Sequence, residues 1–542
     1  MHSFYILSRE NIMKRTLLLT VLVLTSINGC FAQELPKKQT QPNIIVFLVD
    51  DMGLMDTSVS FITDQNGKPA AQPLNSWYHT PNMEELAAKG TRFSQFYAQS
   101  VCSPTRASLL TGQNATRHHT TTWIKPDENN RGVFGPKKWN WQGLTQSSVT
   151  FPQLLTNAGY KTIHIGKGHF GPLDSEGADP KNIGFNVNIA GAPWGRPKSY
   201  YGQNHYGNHP KYKQDNKPLT HNIPHLEKYH DKDVFLTEAL TLEANKQISQ
   251  AAAEQKPFML YMSHYAVHAP FDSDPRFAKR YQNRGQSEKA QAYATLMEGM
   301  DKSLGDITAQ LEKLSIAENT LILFLGDNGG DAPLGGNDAI ASSAPLKGKK
   351  GTSWEGGMRA PLIVAWAKPN LNNAKQQRLP IAQNETNNQI ATVLDIYPTI
   401  LSAASVKNPS TQLIDGVNLA EQLAGQINSQ RENSFLMHFP HEHRHSYFTS
   451  YRLDDWKVIY HYQPEGKTKK NKKIKRYQLF DLANDPTESK NLASSKPKEL
   501  HKMMKALVAE LEQQNAQYPT DKNGQILKPL LSTTIPTSVS PI

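Results

Sequence analysis

Two aspartates, Asp50 and Asp51, close the apolar run NIIVFLVDD at 43–51, and Asp327 with Asn328 closes another, TLILFLGDNGG at 320–330. Hard oxygen donors of this kind suit Ca²⁺ or Mg²⁺ better than zinc, because no cysteine or histidine adjoins them in the sequence. Strand exits often carry an aspartate for solvation alone, so each pair by itself leaves both readings open. Lys167 and His169 end a third run, KTIHIGKGH at 161–169, and His268 ends a fourth, PFMLYMSHYAVH at 257–268. A different chemistry is offered by CSPTRASLLTG at 102–112. The Ser-Pro-Thr after Cys102 predicts an N-cap and a first-turn proline, residues 107–110 continue the helix, and Thr111-Gly112 end it. Cys102 then stands at the positive end of a helix dipole, where anions bind and thiols become reactive. The plain alternative is a small buried hydrophobe, the usual fate of a free cysteine.

The elements that must position these residues alternate. The four apolar runs are continuous and rich in β-branched residues, as strands buried on both faces of a parallel sheet are. Between them lie helical stretches, PNMEELAAKG at 81–90, TFPQLLTNAG at 150–159 and a long one at 289–314. The fold class is therefore α/β. In an open sheet of this class ligands bind beyond the carboxyl ends of the strands, where Asp50, Asp51, Lys167, His169, His268, Asp327 and Asn328 all fall. Residues 171–230 are rich in Gly, Pro, His, Tyr and Lys with little periodicity, and read as an elaborated loop able to line a binding site. After a helix expected over 388–404 the texture changes to YFTSYRLDDWKVIYHY and RYQLFDLANDP, which predict antiparallel strands, followed by an amphipathic helix from 497 to 517. The expected organisation is a catalytic domain over 42–430, a smaller α+β domain over 431–530 and a tail at 531–542.

The chain has 542 residues, 38% of them hydrophobic and 20% charged, with a formal net charge of +11. That composition is globular and too long for one small core. Much of the positive excess sits in KTKKNKKIKR at 467–476, which reads as a solvated hairpin tip. The excess points to an anionic partner, and the lack of a nucleic-acid-binding motif argues against DNA or RNA. Lys14-Arg15, the apolar run 16–24 and the small residues of INGCFAQ read as an export signal over 1–32, with a linker at 33–41. Two processing routes stay open, cleavage after Ala32 to a periplasmic or secreted chain, or lipid attachment at Cys30. Met13 is an alternative start. With Cys30 removed or lipidated, Cys102 is the only thiol of two and no intramolecular disulfide forms. No later run is long enough to span a bilayer. The sequence specifies no oligomeric state.

In these motifs the chain resembles the formylglycine-dependent sulfatases of the alkaline phosphatase-like superfamily. CSPTRASLLTG matches the family's Cys-x-Pro-x-Arg signature, with NIIVFLVDDMG, GYKTIHIGKGHFG, GDNGG at 326–330, PLKGKKGTSWEGGMRAP at 345–361 and LFDLANDPTESKNLA at 479–493 in the family's order. The resemblance implies a large, mixed but mostly parallel sheet sandwiched by helices, with the smaller C-terminal domain. It implies that a separate maturation enzyme, reading Cys102, Pro104 and Arg106, oxidises Cys102 to formylglycine. It further implies that Asp50, Asp51, Asp327 and Asn328, with the modified residue 102, hold one calcium ion. By the same resemblance Arg106 positions the formylglycine hydrate, Lys167 binds hydrate and sulfate, and His169 is the base for sulfate release. His268 and Lys350 bind the leaving-group side, with His268 the expected acid. Two departures stand out. Gly168 replaces the aromatic residue usual between this lysine and histidine, and Lys347 occupies a position where arginine is common.

The implied substrate is a sulfate ester. Export, positive charge and two segments rich in His, Arg, Tyr and Trp, at 191–213 and 438–452, favour a sulfated carbohydrate such as an algal glycan or glycosaminoglycan fragment over a small aryl sulfate. Three other readings compete. A phosphatase or phosphodiesterase of the superfamily would place Ser or Thr at the nucleophile, a cysteine hydrolase would pair the thiolate with a histidine, and a glycan-binding protein would bind calcium without turnover.

Overall fold

The computed structural model describes residues 41–212, 221–334, 343–445, 447–462 and 474–531. The expected export signal with Cys30, the linker up to residue 40, residues 467–473 of the basic run and the tail from 532 lie outside the described residues. Among the described residues no helix is long and apolar enough to cross a membrane.

The apolar runs form strands β1 (Asn43–Val49), β4 (Lys161–Gly166), β6 (Phe258–His264) and β7 (Thr320–Gly326), with β2 (Thr91–Phe93), β3 (Phe96–Tyr97), β5 (Val187–Ile189), β8 (Leu362–Trp366), β9 (Glu385–Asn387) and β10 (Ala391–Thr392) added around them. Eight of these make one sheet in the order β5-β4-β6-β1-β7-β8-β2-β9, and β3 pairs with β10 separately. β5, β4, β6, β1 and β7 run parallel, while β8 is antiparallel to both β7 and β2. Val49 lies opposite both His264 and Gly326, and Gly166 lies opposite Ser263. The carboxyl ends of four strands are thus level, and the residues after them leave from one edge.

Both sheet faces are covered, which is why the central strands are apolar throughout rather than alternating. Seven longer helices bear on the argument, α1 (Pro81–Lys89), α2 (Cys102–Thr111), α3 (Phe151–Asn157), α4 (Leu236–Ala253), α5 (Glu288–Lys313), α6 (Ile396–Ala403) and α7 (Pro497–Gln513). Ile45, Phe47 and Val49 of β1 share a core with Leu240 and Ile248 of α4 and Met297 and Leu304 of α5. Ile44, Val46 and Leu48 share the opposite core with Leu109 of α2, Phe151 of α3 and Ile400 of α6. Beyond it stands a four-stranded antiparallel sheet of β11 (Ser434–Phe439), β12 (Phe448–Leu453), β13 (Trp456–His461) and β14 (Tyr477–Asp481). Its alternating residues divide by face. Tyr451, Val458 and Leu479 pack with Met503 and Leu507 of α7, whereas Phe448, Ile459 and Phe480 pack with Tyr97, Val101 and Met358.

Several boundaries differ from expectation. The helix expected over 388–404 begins only at Ile396, because Ala391 pairs with Phe96 and Thr392 forms a capping box with Asp395. Helix α2 begins at Cys102 itself with Val101 as N-cap and no side-chain cap. Ser103 lies inside the first turn, its hydroxyl accepting from Ile124 N at 3.1 Å. Gly112 ends the helix in the left-handed conformation, φ 70°, as expected. Helix α4 and strands β8 and β11 have no counterpart in the sequence reading, and residues 171–212 hold β5 and several 3₁₀ turns.

The small sheet is joined to the large one by charge as well as by packing. Lys457 Nζ lies 2.9 Å from Glu355 Oε1 and 2.7 Å from Glu488 Oε1, with all three side chains buried. Tyr97 donates to Glu355 Oε2 at 2.6 Å. Replacing Lys457→Met should leave Glu488 without its cation and Glu355 with Arg359 at 3.9 Å, and lower stability by about 3–5 kcal/mol. Denaturant unfolding of the full chain checks this.

Candidate active site

Asp50 and Asp51 leave β1, and Asp327 and Asn328 leave β7, at the level edge of the large sheet. Asp51 adopts φ 62°, which aspartate tolerates better than most residues, and its N–H donates to Asp327 Oδ1 at 3.0 Å. One oxygen each from Asp50, Asp51 and Asp327 falls within 4.8 Å of the others. Asn328 donates Nδ2 to Asp51 Oδ1 and to Gly329 O, both at 3.0 Å, while its Oδ1 is buried without a partner. Buried acceptors are rarely left so. Three carboxylates and one orphaned amide oxygen, with no thiolate among them, would suit a hard divalent cation.

Each carboxylate also has a cation of its own. Lys167, just past β4, places Nζ 2.7 Å from both oxygens of Asp50. Arg106, fully buried in α2, donates Nε and Nη2 to Asp327 Oδ2 at 3.1 and 2.9 Å, and Nη1 to Ser263 Oγ at 2.7 Å and Lys167 O at 3.1 Å. Lys350 Nζ lies 2.5 Å from Asp51 Oδ1, and His268 Nε2 lies 3.5 Å from Asp51 Oδ2. Burial pushes the Asp50 carboxyl well above the usual range despite Lys167. Against the same burial, Lys350 and His268 hold Asp51 below it and Arg106 holds Asp327 below it.

The two site histidines are held neutral. His169 places Nε2 2.7 Å from Ile124 O and Nδ1 3.4 Å from Cys102 Sγ. A carbonyl only accepts, so Nε2 carries the hydrogen and the Nδ1 lone pair faces residue 102. Burial, reinforced by Lys167, lowers the His169 pKa well below its ordinary value. His268 is lowered to about 3 by burial, with Asp51 opposing. Its carbonyl accepts from Tyr200 Oη at 2.7 Å. Cys102, His169, His268 and Lys350 together floor a cavity of about 500 Å³, within the range of small-ligand sites.

All ten residues singled out from the sequence therefore converge on one edge. The neighbouring lysines do not. Lys347 donates to Glu488 O at 2.9 Å and lies 3.8 Å over the Trp354 ring, and Lys349 pairs with Asp331 at 3.4 Å. Gly168 is explained by its neighbour, since a Cβ there would stand 2.9 Å from Ala192 O. Of the described residues of the segment 438–452, only His443 and Arg444 reach the cavity. His438 and His441 are buried on Thr449 and Thr121, and Tyr447 and Tyr451 belong to the core under α7. Sequence reasoning missed Ser263, which the strand register would have placed beside Arg106. It also missed Trp123, Ile124 and Asp331, which carry no local pattern.

A thiol facing a neutral imidazole, beside buried carboxylates that could hold a cation at the edge of a mostly parallel sheet, suits an ester hydrolase acting on an anionic group. The profile of the family described as Sulfatase matches residues 42–406, and that described as N-sulphoglucosamine sulphohydrolase, C-terminal, matches 349–517. An N-acetylgalactosamine-6-sulfatase of Mus musculus is 31% identical over 418 residues, 75% of this chain and 70% of that protein. A protein named Sulfatase from Formosa agariphila is 27% identical over 509 residues, 84% of this chain and 85% of that one. The crystal structure of Ps i-CgsB in complex with k-i-k-neocarrahexaose superposes with a TM-score of 0.67 at 24% identity, covering 90% of this chain and 96% of that one. The chain belongs to the sulfatase family, and it is a sulfuric ester hydrolase with the alkaline phosphatase-like fold.

Arg106 is not replaceable by lysine in this geometry, because one ammonium cannot reach Asp327, Ser263 and Lys167 O together. Arg106→Lys should lower kcat/KM for sulfate release at least about 100-fold through misplacement of the groups around it, with a lower thermal midpoint. Sulfate release and thermal unfolding of the purified variant check both.

Proposed function

We propose that the chain hydrolyses sulfate esters of carbohydrates, using residue 102 as formylglycine, in a site that holds one calcium ion. The observation that carries this reading is the contact of Cys102 Sγ with His169 Nδ1 at 3.4 Å, on the floor of a cavity shared with His268 and Lys350 and beside the orphaned Asn328 oxygen. The expected maturation enzyme replaces the Cys102 sulfur by oxygen with loss of two hydrogens, and the aldehyde hydrates to a geminal diol. One hydroxyl attacks sulfur and the ester C–O oxygen leaves, taking a proton supplied from the His268 side. His169, whose Nδ1 faces residue 102, then accepts the proton of the second hydroxyl, and reformation of the aldehyde expels sulfate. Lys167 and Lys350 carry positive charge on the two sides of that centre, and Arg106 fixes the turn on which residue 102 stands. Calcium, bound by Asp50, Asp51, Asp327, Asn328 and the residue 102 hydrate, would lower a hydroxyl pKa and offset developing negative charge.

The carbohydrate assignment rests on the names of the related proteins and on the cavity wall, where Trp123 and Trp194 offer aromatic surface and Arg196 and Arg444 offer guanidinium groups. An algal glycan fragment or a glycosaminoglycan fits this wall better than an aryl sulfate, and an exported location matches a polymeric substrate outside the cell. A second reading, a cysteine hydrolase, is favoured by the same Sγ–Nδ1 contact, and it would leave the buried carboxylates and their cations without a use.

Peptide mass spectrometry across residues 93–106 of protein from its native host separates the two readings. Formylglycine is expected at 102, whereas an intact cysteine in active enzyme overturns the mechanism. Cys102→Ala should abolish turnover while the fold, followed by circular dichroism, and sulfate binding persist. Full retained activity would sink the nucleophile assignment. Removal of calcium by a chelator should suppress activity, and Ca²⁺ or Mg²⁺ should restore it. Restoration by zinc alone contradicts the donor-set argument.

A further inference from the structure

The cavity extends past the sulfate-facing residues to a wall built by residues 194–196, and its charges are unequally satisfied. Lys125 pairs with Asp127 and Glu128, at 3.7 and 2.5 Å. Lys350 pairs with Asp51, and Arg444 makes a bidentate pair with Asp331 at 2.6 and 2.8 Å. Arg196 is exposed, lines the same cavity, and has no acidic partner among the described residues. An arginine fork without a carboxylate, lining the cavity beside residue 102, is a ready receptor for an oxyanion.

Its place is fixed by the chemistry beside it. His169 N donates to Ala192 O at 3.0 Å, which anchors the loop on the site. Gly195 lies against the His169 ring so closely that a Cβ would stand 2.8 Å from Cε1. Arg196 therefore comes directly after the residue that touches the ring facing Cys102. Lys198 N donates to His221 O at 3.0 Å, holding the far end of the loop, and the Trp194 and His221 rings stand 6.1 Å apart. The loop is tied down at both ends, which sets where Arg196 leaves the backbone beside the His169 ring, and of its two cations without an acidic partner among the described residues, Arg196 and Lys198, Arg196 is the one that lines the cavity.

We infer that Arg196 is a specificity-determining residue that binds a second anionic group of the substrate, a carboxylate or a second sulfate ester borne by the sulfated sugar or its neighbour. The inference rests on the carbohydrate sulfatase reading and narrows it to substrates carrying at least two negative charges. The scissile sulfate goes to residue 102 and the second anion goes to the guanidinium.

Four probes test this with the matured enzyme, Arg196→Gln and Arg196→Lys. They are 4-nitrophenyl sulfate, galactose 6-sulfate, a monosulfated disaccharide with a uronate and a disulfated disaccharide. Arg196→Gln should lower kcat/KM about 10- to 100-fold more for whichever disaccharide carries the preferred second anion than for galactose 6-sulfate, and be partly rescued in Arg196→Lys. Which disaccharide responds identifies carboxylate or sulfate. An equal loss on all four probes, or no loss on either disaccharide, overturns the inference. Wild-type turnover of 4-nitrophenyl sulfate alone would instead fail the carbohydrate reading. Calorimetric titration of Cys102→Ala with the same ligands then decides the site independently. A preference for the doubly anionic ligands that disappears in Cys102→Ala/Arg196→Gln supports it, and equal affinities overturn it.

Discussion

Three carboxylates buried within 4.8 Å of one another cannot all stay ionised in a protein interior unless positive charge is supplied next to them. The fold supplies it one for one. Lys167 sits on Asp50, Arg106 on Asp327 and Lys350 on Asp51, and each cation comes from a different part of the chain. With Asp50 counted as ionised, which burial opposes, and both histidines neutral, the six side chains cancel by formal charge. A divalent cation in the same place would leave an excess of two positive charges, the complement an anionic ester and its transition state require.

That balance explains why residues far from residue 102 are as constrained as those beside it. Arg106 must reach Asp327, Ser263 and the Lys167 carbonyl at once, so α2 has to cross the ends of three strands at a fixed depth. Lys350 is delivered by a loop with many ties. Gly351 N bonds to Ser100 O, Arg444 donates to Lys350 O, Glu355 N donates to Glu488 Oε2, and Lys347 donates to Glu488 O. Two of these partners belong to the C-terminal part of the chain. The small antiparallel sheet is thereby a support for the loop that carries Lys350, and the buried Lys457–Glu355–Glu488 cluster is the point where the support is joined.

Residue 102 and His169 show how backbone geometry sets proton location. Segment 123–127 is docked on the first turn of α2 by Ile124 N to Ser103 Oγ, and Ile124 O in turn takes the Nε2 hydrogen of His169. The tautomer of the imidazole is thus dictated by a main-chain carbonyl, and its lone pair is directed at residue 102. Burial and the nearby Lys167 keep the ring from charging. An imidazole held in this way needs no carboxylate behind it to fix its tautomer.

The sequence by itself determined the parallel strands, their alternation with helices and the polar residues at the strand ends. Continuous β-branched runs can be buried only on both faces, and the residues after such a strand must leave from its carboxyl end. It also determined Gly112 as a helix stop, because only a residue at ease with positive φ ends α2 there. It did not determine that Lys350 rather than Lys347 or Lys349 faces Asp51, since three lysines on one loop are alike until Glu488 and Asp331 claim the other two. Nor did it reveal the start of α6, which pairing of Ala391 with Phe96 decides between segments far apart in the chain. Of the cavity wall it marked the segments 171–230 and 438–452, but neither which of their residues face the cavity nor Trp123. Trp123, Arg196, His221 and Arg444 come from four separated segments, and only the tertiary structure sets them around one space because no periodicity links them.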